Sequence, residues 1–200
     1  MKNRALYMNG KLNLAFKELD IPKPQPGEVL LKVGYCGVCG SDVHFYESGC
    51  IGATPIKGDL ILGHEAAGTV EAVGEGVTNV KVGDRVVLEP GIGCGHCEYC
   101  KSGRYNLCPD MQFISCPPYQ GAMRNYITHP AHLVYPLPEY VSTLEGALIE
   151  PLCVGMHAAN LGGVKLGDTV VILGAGCIGL TTLAACKAMS ASKIIVTDLF

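Results

Sequence analysis

Thr169-Val-Val-Ile-Leu173 runs directly into Gly174-Ala-Gly176-Cys-Ile178-Gly179, and the segment closes on Lys193-Ile-Ile-Val-Thr197-Asp198. The apolar, β-branched run at 169–173 predicts a strand, 177–189 a helix, and 193–197 a second strand. Together they form one βαβ unit with a glycine turn at its first strand-to-helix junction. G-x-G-x-x-G is weak by itself in a chain with 26 glycines. A strand ahead, a helix behind and an acid nineteen residues after Gly179 make it specific. Gly174, Gly176, Ile178 and Gly179 are the candidate dinucleotide contacts, with the pyrophosphate at the helix N-terminus. Asp198 would accept hydrogen bonds from the ribose hydroxyls and repel a 2′-phosphate, which favours NAD over NADP. A packing turn without a ligand is the alternative.

Residues 169–186 carry no charge, but three glycines and two threonines interrupt them, so a strand and a buried helix are expected rather than a membrane span. Two parallel strands cannot bury a doubly wound sheet. The 200 residues are therefore expected to be the N-terminal portion of a longer parent.

Working outward, the first 140 residues read as β structure. Asn9-Gly10 between two short apolar runs predicts a type I′ hairpin. Pro22, Pro24 and Pro26 precede an apolar strand at 28–35, and 67–73 and 85–89 are further strands. Many short strands with Gly and Pro punctuation suggest a barrel or sandwich. After Pro138 the character changes: Ser142 and Glu145 form a capping box opening a short helix through Leu148, and 154–160 is helical after Pro151. The expected organisation is a β domain at 1–150 and the start of an α/β domain at 151–200.

Composition narrows the function classes. The chain is 48% hydrophobic and 16% charged, with net charge −3 and scattered basic residues, which leaves no electrostatic footprint for nucleic acid. No apolar run of signal-peptide length opens the sequence, so a cytoplasmic location is expected. Eleven cysteines in that setting point to metal ligation and reduced thiols.

Cys94, Cys97, Cys100 and Cys108 follow a C-x2-C-x2-C-x7-C pattern among Gly91, Gly93, Gly95 and Gly103. Four thiolates on tight turns can close a structural zinc site; disulfides, free thiols and an iron–sulfur cluster are the alternatives. A second constellation comprises Cys39 in the glycine-rich turn 34–40 and His64-Glu65 after Gly63, with Glu150 in reserve. A catalytic zinc wants three protein ligands of this kind and one open position. A thiol redox pair at Cys36 and Cys39 is a rival reading.

Gly63-His64-Glu65-Ala66-Ala67-Gly68, Gly83-Asp84-Arg85-Val86, the four-cysteine lobe and the late glycine turn together resemble the zinc-dependent medium-chain dehydrogenases. Cys39-Gly-Ser-Asp-Val-His44, Gly103-Arg-Tyr-Asn-Leu107 and Ile149-Glu-Pro-Leu152 are most similar to the polyol branch, of the sorbitol and xylitol type. The resemblance implies a GroES-like β domain followed by a Rossmann domain, of which this chain holds the first βαβ unit. It implies Cys39, His64 and Glu65 as catalytic zinc ligands, and Glu150 as a further ligand or a holder of the metal's water. It also implies a structural zinc on the four cysteines, and Tyr46 and Phe113 beside the substrate. Ser41 and His44 are candidates to pass a proton outward. The implied reaction is NAD-dependent oxidation of a polyol secondary alcohol to a ketose, by an enzyme that is a homo-oligomer when complete. Threonine- or idonate-type dehydrogenases share these motifs, and a non-catalytic zinc-binding fragment is the remaining alternative.

Overall fold

A computed structural model of the chain describes residues 2–199, which fall into two compact units, 2–147 and 148–199. In the first unit, β1 (Asn3–Met8) pairs antiparallel with β2 (Leu14–Leu19) along its whole length. The intervening loop is five residues long, with Gly10 and Leu12 both at positive φ. The expected two-residue turn at Asn9-Gly10 is thus replaced by a longer loop: Asn9 is not left-handed, and type I′ needs positive φ at both central positions.

Next come β3 (Glu28–Cys36), α1 (Gly40–Ser48), the two-residue strands β4 (Cys50–Ile51), β5 (Thr54–Pro55) and β6 (Leu60–Ile61), then β7 (Ala66–Val73) and β8 (Arg85–Leu88). The cysteine lobe holds β9 (Gly91–Ile92), α2 (Glu98–Lys101) and β10 (Gln112–Phe113). β11 (Tyr126–Pro130), β12 (Val134–Pro136) and α3 (Thr143–Ala147) complete the unit. The main sheet is wholly antiparallel, in the order β11-β3-β7-β8-β12. Its inner face supplies Val29, Leu31, Val70, Val86, Leu88, Ile127 and Val134, all nearly inaccessible to solvent. α3 begins at the expected capping box: the Glu145 carboxylate accepts the Ser142 N–H at 2.8 Å, and Ser142 Oγ accepts the Glu145 N–H at 3.2 Å.

α1 was not anticipated, since 34–40 reads as a turn. Cys39, a rare N-cap, starts it with extended backbone, and Asp42 at the third helical position accepts the Cys39 N–H at 3.0 Å. Phe45 anchors the helix against Met8, Leu60 and Leu62. Left-handed Gly49 ends it.

The second unit contains α4 (Ile149–Leu161), β13 (Thr169–Leu173), α5 (Cys177–Ala188) and β14 (Lys193–Thr197). β13 and β14 pair in parallel, in register from Thr169↔Lys193 to Leu173↔Thr197. α4 starts two residues before Pro151 rather than after it: a proline in the first turn lacks only an N–H that would find no intrahelical partner. Among the described residues, no helix is long and apolar enough to cross a membrane.

Candidate functional site

Strand register assembles the first site. β3 and β7 pair antiparallel to their shared end, where Cys36 lies opposite Ala66. One bond further, the Gly37 N–H donates to the Glu65 carbonyl at 2.8 Å. The chain leaving β3 therefore delivers Cys39 beside His64 and Glu65, which lead into β7. Their donor atoms, a thiol sulfur, an imidazole nitrogen and a carboxylate oxygen, lie within 4.8 Å of one another. His64 and Glu65 are buried, and Cys39 is half-buried.

The carboxylate of Glu65 sits in a cradle that only glycine leaves open. A Cβ on Gly37 would come 2.1 Å from Glu65 Oε2. The Phe113 ring meets the His64 imidazole edge-on, with centroids 5.3 Å apart. Burial raises the Cys39 thiol above its ordinary value, so an unpaired thiolate is costly there and a cation would offset that cost.

Asp42, to which the sequence reading assigned no role, holds this arrangement together. It is 3% exposed. Its Oδ2 accepts the Cys39 N–H, and its Oδ1 accepts the Gly63 N–H at 3.1 Å and the Ser115 hydroxyl at 3.2 Å. One buried carboxylate thus fixes the segments bearing Cys39, His64 and Phe113. The available signal was its position three residues after Cys39, a capping-box spacing.

The other expected residues distribute as follows. Ser41 is half-buried in the first turn of α1, whereas His44 and Tyr46 are exposed on it. Glu150 lies in the first turn of α4, in the second unit. Cys36 packs near Gly63, with its thiol pushed up to about 12 by burial and by the nearby Asp42 and Glu65 charges. That is the opposite of a redox-active thiol, which needs a stabilised thiolate.

The second site is the cysteine lobe. The four sulfurs of Cys94, Cys97, Cys100 and Cys108 also lie within 4.8 Å of one another, and all eleven cysteines are free of disulfides. Backbone N–H groups point at the sulfurs: Cys94 N–H to Cys108 Sγ, Cys97 N–H to Cys94 Sγ and Cys100 N–H to Cys97 Sγ, each 3.4 Å. Donors of this kind, from His96 and Cys97, pull Cys94 down to about 6. Desolvation and the neighbouring thiols push Cys100 up to about 12. Four sulfurs at one centre with N–H donors behind them suit a closed tetrahedral zinc.

The glycine turn belongs to the second unit. Gly176 is the N-cap of α5, and a Cβ there would meet no protein atom within 4 Å, so space above the helix start is open. Gly179, by contrast, is required by the fold: its Cβ would stand 1.9 Å from the Gly174 carbonyl oxygen. Ile178, in the first turn, is 43% exposed. Asp198 reaches back to the turn, with Oδ2 accepting the Ala175 N–H at 2.6 Å and Oδ1 accepting the Leu199 N–H at 2.7 Å. These bonds hold its carboxyl below the usual range, and each oxygen keeps a lone pair for a further donor.

Residues 25–139 match the family described as alcohol dehydrogenase GroES-like domain. An uncharacterized zinc-type alcohol dehydrogenase-like protein of Escherichia coli is 50% identical over 200 residues, covering 99% of this chain and 58% of its own. The sorbitol dehydrogenase of Macaca fascicularis is 49% identical over 198 residues, covering 99% and 56%. The solved structure of L-idonate 5-dehydrogenase from E. coli superposes with a TM-score of 0.93 at 32% identity, covering 100% of this chain and 58% of that one. The chain thus spans a little over half the length of the relatives it matches. With the match covering more than half of its residues, this chain belongs to the alcohol dehydrogenase GroES-like family.

Proposed function

We propose that this chain carries the metal-binding and dinucleotide-binding parts of a zinc- and NAD-dependent polyol dehydrogenase, oxidising a secondary alcohol to a ketose. The observation that carries this reading is the convergence of Cys39, His64 and Glu65, three different donor types within 4.8 Å. A thiolate, an imidazole and a carboxylate together suit zinc, and three protein ligands leave one position for a hydroxyl. When bound, zinc supplies Lewis acidity toward that hydroxyl and the nicotinamide supplies a hydride acceptor.

The chain's own residues do the rest. Cys39 and Glu65 contribute two anionic ligands, and the harder carboxylate suits a hydroxyl-rich substrate. Phe113, edge-on to His64, forms an apolar wall that excludes water. Ser41 and His44 stand three apart on α1, hence on one helix face, and relay the hydroxyl proton toward solvent. Tyr46 contributes to substrate contact from the last turns of that helix. In the second unit, Gly174 to Gly179 receive the pyrophosphate, and the oriented Asp198 carboxylate takes the ribose hydroxyls, favouring NAD.

The test is NADH formation by the purified protein with a panel of polyols and sugar acids, with and without a zinc chelator. Polyol-dependent, chelator-sensitive turnover that disappears in His64→Ala is expected. Turnover surviving both would refute the reading. A second reading, a sugar-acid alcohol as substrate, rests on the likeness to L-idonate 5-dehydrogenase; activity confined to the sugar acids would select it.

A further inference from the structure

The cysteine lobe holds a second donor set that the four-cysteine reading does not use. His96 and Asp110, both exposed, place an imidazole nitrogen and a carboxylate oxygen within 4.8 Å of each other and of the Cys94 sulfur. Cys94 is therefore common to two groups: an inner one of four sulfurs with Cys108 buried, and an outer one of sulfur, nitrogen and oxygen facing solvent.

The turns that aim the cysteines also build the outer group. Cys94 and Cys97 flank the left-handed Gly95 and His96, whose Nδ1 lies 2.8 Å from the Cys94 carbonyl oxygen. The tautomer that donates there keeps its Nε2 lone pair for a metal. On the other side, Cys108-Pro109-Asp110-Met111 closes a reverse turn through the Met111 N–H to the Cys108 carbonyl at 3.3 Å. Proline at its second position presets the bend that swings Asp110 back over the lobe. Each exposed donor is thus one or two residues from an inner ligand, on a constrained turn.

We propose that Cys94, His96 and Asp110 form an outer zinc position that captures the ion and passes it to the four-cysteine site. The inference rests on the reading of those four cysteines as a zinc site. Hydrated zinc meets three exposed or half-exposed donors before it meets the buried Cys108. In the transfer, the bonds to His96 and Asp110 break while bonds to Cys97, Cys100 and Cys108 form. The bond to Cys94 persists throughout, and protons of the incoming thiols leave to water. Neither metal nor ligand changes oxidation state. One half-buried thiolate with two exposed N and O ligands holds zinc less firmly than four converging thiolates, so the ion moves inward.

The test follows cobalt(II) uptake by the metal-free 200-residue chain carrying Cys39→Ser, which disables the separate Cys39-His64-Glu65 set so that the cysteine lobe alone takes metal. The readout is the sulfur-to-cobalt charge-transfer band, whose intensity rises with the number of bound thiolates. An early species of low sulfur content is expected, followed by the four-sulfur spectrum. With His96→Ala/Asp110→Asn added to that background the early species disappears and the four-sulfur band grows on the order of tenfold more slowly, to the same final amplitude. Glu98→Gln, an exposed acid in the same lobe but outside the set, leaves the rate unchanged. Unaltered uptake in the double variant overturns the proposal, as does equal slowing by Glu98→Gln, which would reduce the effect to general charge. A changed final spectrum, or a second cobalt retained at the end, also overturns it, because the position would then be a resting site. Failure of the chain carrying Cys39→Ser alone to develop any four-sulfur band would instead remove the underlying four-cysteine reading, and the transfer with it.

Discussion

Replacing Asp42 by asparagine keeps its shape and removes its charge. The native carboxylate accepts three hydrogen bonds while almost fully buried. Asparagine has one acceptor oxygen, so its amide N–H2 must face either the Cys39 N–H or the Gly63 N–H, donor against donor. One charge-assisted bond is lost, the others weaken, and one buried N–H is left unsatisfied. At about 1.5–3 kcal/mol for a bond to a charged group, the total comes to about 3 kcal/mol. The fold carries a convenient reporter, because all nine tyrosines lie between Tyr7 and Tyr140 and the chain has no tryptophan. Urea unfolding followed by tyrosine fluorescence therefore reads the first unit alone. Asp42→Asn should lower its stability by about that amount and weaken zinc at Cys39, His64 and Glu65 by roughly ten- to a hundredfold, measured by chelator competition. A stability change below about 0.5 kcal/mol with unaltered zinc affinity would refute the argument, since that is what an ordinary surface substitution produces.

Three further outcomes follow from the same geometry. Gly37→Ala puts a Cβ 2.1 Å from Glu65 Oε2, so the carboxylate must move; zinc content at that site should fall while the four-cysteine site keeps its ion, and full occupancy of both would contradict the cradle. Gly179→Ala brings a Cβ to 1.9 Å from the Gly174 carbonyl oxygen, a backbone atom, and should cost about 1–3 kcal/mol and abolish NADH binding measured by fluorescence. His129 is buried and donates from Nε2 to the Glu89 carbonyl at 2.8 Å, and burial pushes its pKa down to about 4. The unfolded chain takes up that proton near pH 6.5 and the folded chain only near 4, so stability falls as pH drops through this window, by on the order of 3 kcal/mol. His129→Gln, which retains an N–H for Glu89, should flatten the urea midpoint between pH 6.5 and 4, and an unchanged slope would count against it.

Sequence legibility followed the range of the interactions involved. The βαβ unit was readable to the residue at 169–173 and 193–197 because apolar runs and glycine punctuation act locally. The two convergent groups of Cys, His and Glu side chains were legible as candidate donor sets because their residue types and spacing match what metal ligation requires. The role of Asp42 is not legible in the sequence because its partners Gly63 and Ser115 are distant along the chain, and α1 is likewise hidden, because cysteine seldom caps a helix. The hairpin at 9–13 is legible in the sequence but its loop length is not, since Asn-Gly permits a type I′ turn without enforcing one. The two-residue strands β4, β5, β6, β9 and β10 have no periodicity to detect and exist through pairing alone.

Metal analysis of the purified chain bears most directly on the two donor sets. Two zinc ions per chain are expected, one for each of the separate sets on Cys39-His64-Glu65 and on the four cysteines. Cys39→Ser and Cys100→Ser should each retain one, and the double variant none. Full zinc content in Cys39→Ser, or a single ion lost only with Cys100→Ser, would contradict a metal at Cys39, His64 and Glu65.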